Sequence, residues 1–550
     1  MKNEHNSGEL INQLFSIRNQ FGKKFVSQKV KLLNTLSEHS VRSKKELQLY
    51  ADTLHFLHAY PDNKTVYRQT IQCLEKFQIF IQSNEKLKES LFNSGITGTS
   101  LCAAFSFEIA KWMRKNYPEN IRLSSFEADE GQIQSILSVV MPKVESEIFQ
   151  DANASWRPWF KHFSEKGEIL LDKLIAVFDE TDIQPGVKDE LWNAIGINLE
   201  IDFSNHTCLP DSLFTPYFHL SLVNRKYVKQ QQSKKPIRVN LNEKEAAQII
   251  DNGRMELLRQ LREIDPITYT SANLISYYKM SRGISVALMG MVPERRHPID
   301  SYMGYVVFKN GLPVAYAGSW ILFDSARIGL NVFPAYRGGE SQFIFEQVLI
   351  LHREVYNLKR FTVDPYQLGK ENSDGIHSGS FWVYYRSGFR PIKKEQRQLA
   401  EEEFFKIKSI KGYRSSASVL KKLADSRSEL LREKGAVNFD ATDLSIAYAS
   451  ILKNQFNNNR KNAEGLYFKK LAELLRIKNY QEEKMQFILK NWCFLLLSDK
   501  KQQLSSSLKK KLKKLFVLKA YGSEEDYIKE LQQAGELRKI LEFKVKENIE

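Results

Sequence analysis

The chain has 550 residues, 42% of them hydrophobic and 27% charged. That is the composition of a globular protein rather than a disordered one, and the length predicts three or four domains. Lys and Arg number 81 against 65 Asp and Glu, a net charge of +16; this favours polyanionic partners, but the charge is spread along the whole chain.

No window approaches the roughly 18 uninterrupted apolar residues of a membrane span; the most apolar run, Trp492 to Leu497, is too short. The four cysteines (Cys73, Cys102, Cys208 and Cys493) stand far apart, with neither metal-ligand nor disulfide-framework spacing. No apolar signal core follows Met1. Together these predict reduced thiols in a cytoplasmic protein with no metal site.

From residue 8 to about 200, Leu and Phe recur at three- and four-residue steps, as in Leu10, Ile11, Leu14 and Phe15, which predicts helices. Pro61-Asp62-Asn63 is a turn that caps a helix from Lys64. Ser94 to Ser100 is a second turn, ahead of a helix predicted over Leu101 to Met113. Residues 1–223 are thus expected as a helical region, with 224–240, a polar run rich in Lys and Gln, as the linker.

A helix is expected from Glu243 to about Glu263, stopped at Asp265-Pro266. The pattern then changes. Ile284 to Met291 reads as a strand. Tyr305 to Phe308 and Leu312 to Gly318, joined through Lys309-Asn310-Gly311, read as a hairpin. Ala326 to Phe333 reads as a further strand, Pro334 to Gly339 as a loop, and Glu340 to Tyr356 as a helix. Arg360 to Val363 is a strand and Phe381 to Tyr385 a short helix. Residues 241–398 are therefore expected as a mixed α/β domain and 399–550 as a second helical region. The fold class is α+β and multidomain. The most basic stretch, Lys509 to Lys514, has Leu508, Leu512 and Leu515 at helical spacing; it reads as the solvated face of a core helix, or as a weak contact to nucleic acid or an anionic membrane.

The order hairpin, strand, Arg337-Gly338-Gly339 loop, helix, strand, Asn-containing loop and Tyr384-x-x-x-Gly388-Phe389 resembles the acyl-CoA N-acyltransferase (GNAT-like) superfamily over residues 285–392. The resemblance implies an acyl-CoA co-substrate whose pyrophosphate is held by backbone amides and the positive end of the following helix. Val332, Phe333, Arg337, Gly338, Gly339 and Ser341 are the residues implied for that role. Tyr384 stands where the family places the acid that protonates the departing thiolate.

Glu340, Asp364 and His377 are the candidate bases for an amine acceptor, either a small molecule or a protein. The Gly-rich loop from Tyr366 to Ser380 is expected to shape the acceptor pocket, with Tyr366, Asn372 and Trp382 as substrate contacts. Arg295 and Arg296 are expected to meet an acidic substrate or a phosphate, or else to form a surface turn. The chain departs from the family pattern at Glu340 and Gln342, where glycine or another small residue is usual, and a carboxylate there would repel a pyrophosphate. Two other readings stay open: a non-catalytic scaffold of the same fold, and a transferase using an aminoacyl-tRNA donor.

Overall fold

The computed structural model describes residues 7–37, 43–150, 155–162, 170–204, 207–223, 235–499 and 503–549. It is a mixed α and β molecule: one large mixed sheet, a small second sheet and extensive helical regions. Thirteen strands are described: β1 (Ser100–Ala104), β2 (Ile121–Phe126), β3 (Ile197–Asp202), β4 (Ile237–Val239), β5 (Ile275–Lys279), β6 (Ile284–Met289), β7 (Ser301–Lys309), β8 (Leu312–Leu322), β9 (Ser325–Ile328), β10 (Asn331–Val332), β11 (Arg360–Val363), β12 (Arg390–Pro391) and β13 (Ser428–Leu431).

The first 91 residues hold helices Ser7–Ile17, Lys23–Leu36, Lys44–Ala59 and Lys64–Gln82 and a short fifth, Glu85–Ser90. Asn63 caps the fourth by accepting a hydrogen bond from the Val66 amide at 2.9 Å, leaving one orphan donor fewer at that end. The expected helix over Leu101 to Met113 is corrected. Ser100–Ala104 is strand β1, and the helix runs over Phe107–Asn116 with Ser106 as its cap. β1, β3 and β2 form an antiparallel sheet in that order. The alternation of Ile197, Leu199 and Ile201 buries one face of β3. The region before residue 223 is therefore not purely helical.

Residues 224–234 of the expected linker lie outside the described residues. Its end, Ile237–Val239, is not linker: it is β4, the edge strand beside β5. Helix Glu243–Arg259 begins with a capping box, Asn242 and Glu245 satisfying each other's backbone amides. It packs its Ile249, Ile250 and Leu257 onto the large sheet.

That sheet runs β12-β13-β11-β9-β8-β7-β6-β5-β4, with β10 paired to β8. Asn310 and Gly311 both take positive φ, 48° and 82°, as a two-residue hairpin between β7 and β8 requires. All nine residues of β7 are buried, as expected of a strand covered on both faces. β9 and β11 are parallel, so the chain needs a crossover between them; helix Ser341–Tyr356 supplies it, burying Phe343, Phe345, Val348 and Leu351. β13 comes from beyond residue 399 and inserts antiparallel between β11 and β12. The sheet thus draws a strand from the stretch expected to be wholly helical.

Hydrophobic side chains gather in four clusters: the first helices, the small sheet with its helices, the large sheet with its crossover helix, and the C-terminal helices. No described helix is long and apolar enough to cross a membrane. In helix Ser506–Tyr521, Leu508, Leu512 and Leu515 are buried. Three lysines of the basic stretch turn to neighbours: Lys511 to the Gln533 carbonyl, Lys513 to that of Arg476, and Lys514 to Glu530.

Candidate functional site

The parallel pairing of β9 with β11 stops at Arg327 and Thr362, whereas the preceding chain stays on β8 through Val332. The strand expected as continuous over Ala326 to Phe333 is broken at Gly329-Leu330, which lie between two paired segments. The sheet therefore opens between β10 and the end of β11, the position where ligand crevices form in α/β sheets. At the break the Tyr305 hydroxyl donates to the Gly329 carbonyl. The Leu330 amide donates to the Tyr384 hydroxyl at 3.2 Å, and that hydroxyl donates to Gln367 Oε1 at 3.3 Å. Tyr384 is 3% exposed, with its ring edge-on to Phe345 at 5.0 Å. Burial pushes its pKa up, so the phenol keeps its proton. The side chain of Gln367 lies over Gly329, where a Cβ would stand 2.8 Å from it.

The turn before the crossover helix has Gly338 at φ +86°, a conformation that a residue with a Cβ adopts only under strain. Gly339 admits the ring of Tyr60, which a Cβ would meet at 2.6 Å. The Tyr60 hydroxyl accepts from the Glu340 amide at 3.3 Å. Ser341 opens the helix, with no side chain capping its N-terminus. The Arg337 guanidinium is held by Asp374 through two bonds of 2.8 and 2.7 Å and by the Val332 carbonyl at 3.3 Å. Phe333 stacks on Tyr316 at 5.3 Å.

Glu340 does not face the turn's outer side. Its carboxylate is fully buried between Lys309 at 2.9 Å and Arg282 at 2.6 Å, and it also accepts the Val223 amide at 2.9 Å. Burial alone would raise its pKa, but the two cations hold it below the ordinary value. Burial, only partly opposed by Glu340, brings Lys309 down to about 8. His219 sits in the same cluster, kept neutral by burial and by the neighbouring Lys309 and Arg282. As a candidate base Glu340 is therefore corrected: it is the anion of an interior ion cluster, with no exposed face from which to take a proton.

Asp364 lies just past β11, at the edge of the opening, between Arg327 at 3.3 Å and Arg427 at 3.0 Å. Arg327 is itself fixed over the Trp320 ring at 4.3 Å. The Arg295 and Arg296 expectations are corrected as well. Arg295 pairs with Asp189 and stacks over Tyr269 at 4.2 Å. Arg296 is buried, donating to the Met291 carbonyl at 3.0 Å and the Lys519 carbonyl at 3.1 Å. The first ties the sheet to the N-terminal region, the second to the C-terminal helices.

Tyr366 is exposed, and the loop around it folds into short helices Pro365–Leu368 and Ser373–Ser378, the latter capped by Asn372. Asn372, His377 and Trp382 do come together, but around a cavity of 1090 Å³ that does not include Tyr384. The acceptor pocket expected from this loop is thus not at the Tyr384 opening. Two residues at the turn went unnoticed in the sequence. Tyr60 is one. The other is Arg18, whose guanidinium stands 3.4 Å from the place of a Gly338 Cβ and rests on the Phe15 ring at 3.6 Å. Neither carries a local signal, since the first helices are brought to the turn only by the tertiary fold.

No family model, curated protein or solved structure matches the chain.

Proposed function

We propose that the opening beside β10 is an acyl-transfer site that takes an acyl thioester of the CoA type, with an amine as acceptor. The observation that carries this reading is the meeting of the Leu330 amide with the Tyr384 hydroxyl at the break in the sheet. The Leu330 N–H holds the Tyr384 oxygen in place at the break and favours the phenolate left once its proton has gone. A phenol that burial keeps protonated can return a proton to the sulfur as the C–S bond breaks. The attacking amine forms the new C–N bond and releases its own proton; of the three bases named from the sequence, Asp364 is the one at the edge of the opening.

The inward turn of Glu340 removes the like-charge objection to an anion at the uncapped end of the crossover helix. Arg18 and Arg337 flank that end. An anion would be further favoured by the helix dipole.

The expected result is that acetyl-CoA or a long-chain acyl-CoA raises the unfolding midpoint of the full chain. Saturation at a hundred times the dissociation constant is worth about 2.7 kcal/mol. Tyr384→Phe should keep the binding and lose transfer. Absence of any shift with both thioesters sinks the proposal.

A second reading, a non-catalytic scaffold on the same architecture, has its own support: Gln367 fills the wedge over Gly329, and Tyr60 covers Gly339.

A further inference from the structure

A cavity away from the Tyr384 opening is bounded by the segment after Gly369, helix Ser380–Arg386 and the two helices between β12 and β13, Lys394–Ser409 and Ala417–Leu423. Helix Ser380–Arg386 presents Trp382, Val383 and Arg386 to it. At 100° per residue, Tyr384 lies about 200° around the helix from Trp382, and its ring packs instead against Phe345. The cavity and the proposed transfer site are therefore on opposite faces of one short helix, and a ligand in the cavity does not depend on the acyl-transfer reading.

The cavity is a formed space. Trp382 stacks on Phe404 with ring centroids 5.8 Å apart and planes at 20°. The segment bearing Arg414 is held by Tyr413, whose hydroxyl donates to the buried Glu403 at 2.9 Å, with Lys406 on the same carboxylate. Ile376, Trp382 and Leu420 give it an apolar floor. At 1090 Å³ it is at the upper end of the range for small-molecule sites, too small for a folded partner.

Its charge is one-sided. Of its two carboxylates, Asp425 is engaged by Lys370 at 3.3 Å, and Glu371 is the other. Against them stand Lys370, Arg386, Arg414 and Lys421. Arg414 and Lys421 are exposed and have no ion pair among the described residues. One polar group in the floor is also unmatched: Trp382 is 6% exposed, and its indole N–H finds no acceptor among the described residues. A buried donor in that state carries a desolvation cost, which an acceptor atom on a ligand would relieve.

We propose that this cavity is a binding site for a small amphipathic anion. The ligand has an aromatic or acyl body against Trp382, Ile376 and Leu420, and a carboxylate or phosphate at Arg414 and Lys421.

The test is titration of the full-length protein with 8-anilinonaphthalene-1-sulfonate, an aromatic anion that fluoresces when its ring is buried. Saturable binding is expected. The double variant Arg414→Ala/Lys421→Ala should weaken it at least tenfold, and Ala417→Trp, which fills the cavity from its exposed rim, should abolish it. Both variants should melt as the parent does, because the altered side chains are exposed. Displacement of the dye by octanoate identifies a carboxylate ligand, and displacement by octyl phosphate a phosphate ester; octanol should compete more weakly than either. The proposal is overturned if the parent shows no saturable binding, if either variant binds the dye as the parent does, or if octanol displaces it as well as the anions do.

Discussion

Glu340 shows how one residue can be misjudged from its neighbours in sequence. Beside Arg337-Gly338-Gly339 it reads as a carboxylate in an anion's path. In space it is the common partner of Lys309 and Arg282, which are remote from it along the chain yet bring their charged atoms to 2.9 and 2.6 Å of its own. A buried pair of this kind contributes little net stability, but breaking it strands a charge in the interior. Glu340→Gln leaves the fully buried Lys309 without its anion and should therefore cost about 3–5 kcal/mol in urea unfolding, while Glu340→Gln combined with Lys309→Met should cost distinctly less. Equal losses for the single and double variants would mean that Lys309 is not held as a buried ion. Tyr384 stands out by its place in a Tyr-x-x-x-Gly-Phe pattern, and it does meet a backbone amide at the break in the sheet. His377 belongs to the loop just before it, but lies at the other cavity with Nδ1 2.7 Å from the Ser373 carbonyl.

At the scale of elements, the central contact is that between the first helices and the turn before the crossover helix. Tyr60 stands at the end of helix Lys44–Ala59, and its ring fits against Gly339 because no Cβ intervenes. Gly339→Ala would put a methyl 2.6 Å from that ring, and since neither backbone can yield freely, a loss of about 1–3 kcal/mol is expected. The N-terminal helices should then become more accessible to limited proteolysis than those of the parent; unchanged stability and cleavage would show that the helices are not docked there. The elements around this contact were legible to different degrees. The Asn310-Gly311 hairpin could be placed because its turn chemistry is local. The crossover helix could be placed because its apolar residues repeat at helical spacing. β1, β4 and β13 could not, because each is short and is a strand only through its partners: β3, β5 and the β11–β12 gap respectively.

Across the whole molecule, four apolar clusters are joined by polar ties such as Arg295–Asp189, Arg296 to the Lys519 carbonyl, and Asn310 to the Ala59 carbonyl at 3.0 Å. Under the sheet, His352 is buried, with Nδ1 2.9 Å from the Val348 carbonyl and Nε2 3.1 Å from the Ser319 hydroxyl. Burial lowers its pKa to about 4 from the ordinary 6.5. The unfolded chain therefore takes up a proton there before the folded chain does. The stability this group confers is complete above 6.5 and drains away as pH falls from 6.5 to 4, with a slope of up to about 1.4 kcal/mol per pH unit. Urea unfolding across that window should be flatter for His352→Gln than for the parent. An identical slope would mean that the imidazole is not buried neutral.

The sequence by itself determined the features that depend on residues close together in the chain: the capped helix that starts at Lys64, the Asn-Gly hairpin, and the crossover helix with the strand after it. Periodicity and turn chemistry act over a few residues, so they survive in a one-dimensional reading. Only the tertiary structure decided that Glu340 turns inward, that Arg18 and Tyr60 arrive at the turn from the far end of the chain, and that the loop after β11 walls a cavity behind Tyr384 rather than beside it. Those outcomes depend on which distant groups must share the burial of charge and apolar surface, and no local pattern records that.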